Sequence, residues 1–167
     1  MNVLADRLDS MKVRVSAPGG KLAAELRNRS EVELRFARGS YQWYSERSLE
    51  TQLASLGKLL WAARMKGYHL AVSEALGEPV AREAPPVTPR DQAFYAARDR
   101  LVAEGRSADG RVAVAVRGMR DWQVTIANGT LRALNEDEFA ARVNEAAGKL
   151  INDQQMKVWE LKQRYYE

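Results

Sequence analysis

The feature that most constrains this chain is a strand–turn–strand pattern written twice, ninety residues apart. In the later copy Val112, Val114 and Val116 alternate with Arg111, Ala113, Ala115 and Arg117. After Gly118-Met119-Arg120, Trp122, Val124 and Ile126 alternate with Asp121, Gln123, Thr125 and Ala127. A period of two predicts strands with one buried face, and the short join predicts a hairpin. In the earlier copy Leu22, Ala24 and Leu26 stand where the valines stand, and Val32, Leu34 and Phe36 match Trp122, Val124 and Ile126. Gly20, Gly39 and Glu46 match Gly110, Gly129 and Glu136 without a gap. A self-similar chain of this kind is one unit repeated.

Around each hairpin the same order of elements is predicted. Val3, Leu4 and Leu8 give residues 1–10 one apolar side, a short helix. Met11 to Ser16 alternates as a first strand, and Tyr41 to Tyr44 reads as a short fourth one. Ser45 or Ser48 caps a helix whose stripe is Leu49, Leu53, Leu56, Leu60 and Ala63, ending at Leu76 before Gly77. In the second copy Thr88-Pro89 starts a helix of about three turns carrying Phe94, Ala97 and Leu101. A weak strand follows near Ala103 to Arg106, and Leu131 to Leu134 reads as loop. Asn135 with Glu138 opens a long helix striped by Phe139, Val143, Ala147, Leu150, Gln154, Val158, Leu161 and Tyr165. Such helices outrun strands of six residues, so their tails project or pack on another helix, the other long helix being the expected partner. The fold class is therefore α+β: two pseudo-twofold-related units, each a short helix, an antiparallel β-meander and a long C-terminal helix. Repeat 1 spans 1–78, a proline-rich linker 79–89, and repeat 2 spans 90–167; four of the five prolines fall between Pro79 and Pro89.

The small-Asp-Gly turn Ser107-Ala108-Asp109-Gly110, the alternating valines, the hairpin and the long helix opening with acids resemble the YbaB/EbfC family of nucleoid-associated proteins, best over 94–166 and less over 3–76. The resemblance implies homodimer-like pairing through sheets and helices, projecting helices, and binding of double-stranded DNA with little sequence preference. It also implies a cytoplasmic, nucleoid location. Here duplication supplies both halves of the dimer, so a monomer is expected, a larger mass marking a further homodimer. YbaB-like domains also occur in actinobacterial proteins linked to type VII secretion, which gives the alternative: a non-enzymatic interaction or adaptor module with a protein partner.

The net charge of +4 permits a polyanion without demanding one. The DNA-binding candidates are Arg27, Arg29, Arg35 and Arg38 on the first hairpin and Arg111, Arg117 and Arg120 on the second. They would form one basic strip if the sheets join; otherwise they form a solvated face paired with Glu25, Glu31, Glu33 and Asp121. Arg64, Lys66, Lys157, Lys162 and Arg164 lie late in the long helices, suited to phosphates or to the helix dipole. Tyr41, Trp43 and Tyr44 can stack bases, cover the core or form a protein interface. Trp61, Trp122 and Trp159 are expected in the core or in helix packing.

The chain has no cysteine and one histidine, His69. No triad, metal-ligand spacing or phosphate loop is present in the sequence, so no enzyme, cofactor or metal is expected. Met1 to Asp6 carries acid early and does not read as a signal peptide, and no run is long enough for a membrane span.

Overall fold

The computed structural model of the chain describes residues 3–77 and 86–167. The side chains of Val3, Leu4 and Leu8, read as an apolar face, and most of the linker read over 79–89 lie outside what is described. The first half comprises α1 (Val3–Asp9), β1 (Lys12–Ser16), β2 (Leu22–Arg27), β3 (Glu31–Phe36) and α2 (Glu46–Leu76). The second comprises α3 (Pro89–Arg100), β4 (Val102–Arg106), β5 (Val112–Arg117), β6 (Asp121–Ile126), α4 (Thr130–Ala133) and α5 (Glu136–Tyr166). The class is α+β.

The strands form two separate antiparallel meanders, ordered β1-β2-β3 and β4-β5-β6. Cross-strand partners coincide in the two sheets: Ala24 faces Leu34 where Val114 faces Val124. Both hairpins turn through two residues of positive φ, Asn28 and Arg29 in one and Gly118 and Met119 in the other. That geometry matches the right-handed twist of the flanking strands.

Local chemistry sets the helix ends. Ser45 and Ser48 cap each other's backbone N–H groups at 2.9 and 3.1 Å, and Asn135 and Glu138 do the same at 2.8 and 3.0 Å. Thr88 accepts from the Asp91 N–H, with Pro89 in the first turn. Gly77, at φ 73°, ends α2 in the left-handed region that residues with a Cβ avoid.

Two segments differ from the sequence reading. Tyr41–Trp43 is a turn of 3₁₀-helix, not a fourth strand. The rings of Tyr41 and Tyr44, residues that favour strands in general, here fold back onto Phe36. Residues 130–133, read mainly as loop, form the single helical turn α4.

The core lies between the layers. α2 packs on β1 and β2 and also reaches β6; α5 packs on β4 and β5 and also reaches β3. Leu22, Leu26, Leu49, Leu56, Val112, Val116, Phe139 and Leu150 belong to one buried cluster drawn from both halves. Each such side chain removed from water contributes roughly 1.5–3 kcal/mol. Polar ties cross in the same way: Leu34 N–H donates to Asn144 Oδ1 at 2.8 Å, and Ile126 N–H to Glu50 Oε2 at 2.8 Å. The helix tails meet the short helices of their own units rather than the other long helix: α1 packs on α2, and α3 on α5.

Candidate interaction surface

The outer face of the first sheet is a grid of charges fixed by the strand register. Arg27 stands among three glutamates, with Glu25, Glu31 and Glu33 at 3.6, 3.4 and 3.4 Å. Arg35 pairs with Glu33 at 3.0 Å, and Arg29 pairs with Asp9 of α1. In the second half Arg111 lies 3.8 Å from Asp109. Arg120 lies 3.8 Å from Asp99 of α3, rather than by the Asp121 expected from sequence. Arg38 and Arg117 are exposed, and their side chains have no ion-pair or hydrogen-bond partner among the described residues. The two sheets do not join, and acids separate the arginines on the first, so the cations do not line up along one continuous sheet. Pairs exposed on both sides add at most about 1 kcal/mol each but cancel charge locally; Glu25 differs in being buried.

Two of the helix cations are tied to the sheets. Arg64 Nη1 donates to the Arg29 carbonyl at 3.0 Å and sits 5.9 Å from the Trp61 ring centroid. Burial, with Arg29 close by, lowers its pKa. Lys157 donates to the Val102 carbonyl at 2.8 Å and pairs with Asp153 at 2.9 Å. The side chains of Lys66, Lys162 and Arg164 have no ion-pair or hydrogen-bond partner among the described residues.

The three aromatic candidates separate. Tyr41 and Tyr44 pack edge-on to Phe36, and Tyr41 also meets Phe139 across the seam between the halves. The Tyr41 hydroxyl donates to the Leu134 carbonyl at 2.8 Å. Burial foremost, then the nearby carboxylates, raises the Tyr41 pKa; burial alone raises that of Tyr44. These two tyrosines hold the fold. Trp43 points the other way and is 82% exposed.

A groove of about 520 Å³ runs between α3 and the tail of α5. Phe94, Tyr95, Trp159 and Tyr166 supply aromatic walls, with Arg98 and Lys162 beside them. The Arg98 guanidinium stands 4.5 Å from the Tyr95 ring centroid, a cation–π distance. The Tyr166 hydroxyl donates to Asp91 at 2.5 Å, and that bond, with burial, pushes its pKa up to about 12. Trp159 does not take the packed position expected of it: 57% of its surface is open. Helical spacing places Trp159 beside the apolar stripe but says nothing of how far the short α3 extends to cover it. The sequence signal for this groove was the density of aromatic residues at both of its sides, Phe94-Tyr95 and Trp159 with Tyr165-Tyr166.

Inside, an apolar cavity of about 70 Å³ lies where the two halves meet. Its walls come from both sheets and both long helices, with Trp122 lying against Gly57. Among the described residues, no group of three or more His, Asp and Glu could hold a metal ion, and no helix is long and apolar enough to cross a membrane.

Comparison with protein-family models, with curated proteins and with solved structures finds no match to this chain.

Proposed function

We propose that the protein is a non-enzymatic binding module, two copied units embracing about a pseudo-twofold axis, that grips a protein partner in the groove between α3 and α5. The observation that carries the partner class is Trp159, more than half exposed at a groove walled by Phe94, Tyr95 and Tyr166. Tryptophan, tyrosine and arginine dominate the energetics of protein interfaces, and an exposed Trp159 beside an aromatic-walled groove has the composition of a binding hot spot. Reciprocal packing supports the pseudo-axis: α2 reaches β6 as α5 reaches β3. The cavity at the seam adds support, since its walls include residues ninety positions apart, such as Ala24 with Val114, Leu34 with Val124 and Leu60 with Leu150. The test is capture from nuclease-treated lysate with wild type and with Trp159→Ala. A partner that survives nuclease and is lost with the variant supports the reading. Partners that vanish with nuclease, or bind the variant equally, overturn it.

A second reading is low-specificity binding of double-stranded DNA through backbone phosphates. It is favoured by the cations whose side chains have no partner among the described residues, Arg38, Lys66, Arg117, Lys162 and Arg164. Phosphate contacts release counterions, so affinity would fall steeply with salt and differ little between unrelated duplexes. Gel retardation of two unrelated duplexes at low and high salt tests it; no retardation at low salt removes this reading.

A further inference from the structure

The two units differ at one edge. In the second, α5 approaches β4 so closely that a Cβ on Gly105 would stand 1.9 Å from the Ala146 carbonyl oxygen. From that distance four residues spaced by four along α5 reach the free edge of β4. Glu145 accepts from the Ala108 N–H at 3.0 Å, and Lys149 donates to the Arg106 carbonyl at 3.2 Å. Asp153 accepts from the Glu104 N–H at 2.8 Å, and Lys157 donates to the Val102 carbonyl at 2.8 Å. Acid and base alternate along the helix as donor and acceptor alternate along the strand. Ion pairs of 3.1 and 2.9 Å join Lys149 to Glu145 and Lys157 to Asp153. With every outward residue from Val102 to Ala108 already engaged by α5, this edge is obstructed against another strand.

The first unit lacks this device. Ninety positions earlier the four helix residues are Ser55, Leu59, Ala63 and Gly67, which carry no charge and, apart from one hydroxyl, no side-chain polar group. Val15 stands where Gly105 stands, and its side chain keeps α2 from the same approach. The Ala17 N–H bonds to the Leu22 carbonyl at 2.8 Å, so the register directs Val13 and Val15 to β2 and turns the backbone groups of Lys12, Arg14 and Ser16 outward. Those three residues are exposed, and their outward backbone groups have no hydrogen-bond partner among the described residues. Leu59, at the position Lys149 holds in the second unit, is 41% exposed.

We propose that the free edge of β1 takes an extended peptide segment as an added strand, with acidic side chains on its solvent face and apolar ones toward α2. Charge selects this occupant. On the outer face the charges of β1 are both positive: Lys12, which pairs with Glu25 of β2 at 3.3 Å, and Arg14, whose side chain has no partner among the described residues; Glu31 and Glu33 stand away on β3. A second copy pairing antiparallel through β1 in the register centred on Arg14 would set Arg14 against Arg14, and in the register centred on Val13 Lys12 against Arg14, arrangements like charges oppose. Main-chain bonds to the edge supply affinity, and the alternate side chains supply choice of partner. The proposal shares with the preceding section only the class of partner, since the groove at α3 and α5 is a separate surface.

The test follows amide exchange in the whole protein by NMR, with a blocked peptide of alternating Glu and Val as the probe and one of alternating Lys and Val as control. The expected result is exchange at Arg14 and at its outward neighbours slowed about tenfold or more by the Glu peptide and little by the Lys peptide. Arg14→Pro removes an outward N–H while sparing the bonds to β2, and it should abolish the effect. Lys12→Glu with Arg14→Glu should reverse the preference between the peptides. No protection at millimolar peptide, equal protection by both peptides, or protection confined to the α3–α5 groove would overturn the proposal. So would protection of the same amides without peptide in a species of doubled mass, which would make the occupant a second copy.

Discussion

Asp109 shows how much one side chain does in a turn. It accepts from Ser107 Oγ at 2.8 Å, from the Arg111 N–H at 3.0 Å and from Arg142 Nε at 2.8 Å. Arg142 foremost, then the Arg111 N–H and the Ser107 hydroxyl, holds its pKa well below the ordinary carboxylate value. A carboxylate lowered in the folded state adds stability above its unfolded pKa and loses it as pH falls toward the folded one. Asp109→Ala should therefore lower Tm at neutral pH, and the gap from wild type should close as pH drops below about 4; melts across that range check it. Tyr166 has the opposite sign. Its raised pKa adds stability below the free phenol value, lost as pH climbs from about 10 through about 12. Ultraviolet titration of the phenols should show a tyrosine ionising at about 12, and Asp91→Ala should bring that step down. Sequence shows the Ser-Ala-Asp-Gly turn because every partner but Arg142 is within a few residues. It also offered Glu25, Glu31 and Glu33 as partners for the hairpin arginines; that all three gather on Arg27 depends on register across three strands.

At the scale of elements, Gly105 decides how closely a helix lies on its sheet. Gly105→Val, which copies the residue of the first unit, should lift α5 from β4 and cost about 1–3 kcal/mol by overpacking; denaturant melts measure it. The same change should speed exchange of the Glu104 amide, since Asp153 would no longer reach it. Asp153→Ala should do so without the packing loss, and in wild type the Glu104 amide should exchange more slowly than that of Arg14. Strands, caps and the two long helices were legible because alternation, capping pairs and heptad spacing are local. The Tyr41–Tyr44 segment was misread because ring packing on Phe36 and Phe139, a contact between distant residues, overrode strand preference.

For the molecule as a whole, Phe139 is fully buried at the seam, within ring contact of Phe36 and Tyr41 of the other half. Phe139→Ala should cost about 3–5 kcal/mol. It should move a single melting transition followed by calorimetry, because both halves draw on one core; two separate transitions would contradict a shared core. Sedimentation should give the mass of one chain, 18.8 kDa, with the seam satisfied internally. The repeat made this two-part plan readable from sequence, whereas separate sheets and an uncovered Trp159 depended on distances no spacing encodes.

The unequal borders of the two meanders have a genetic consequence. When two identical chains associate, whatever mutation seals one border seals both, and whatever opens one opens both. Two halves joined in a single reading frame are free of that constraint: here Gly105 with its ladder of charges closes the flank of one sheet, while Val15 and uncharged residues stand at the matching places on the other.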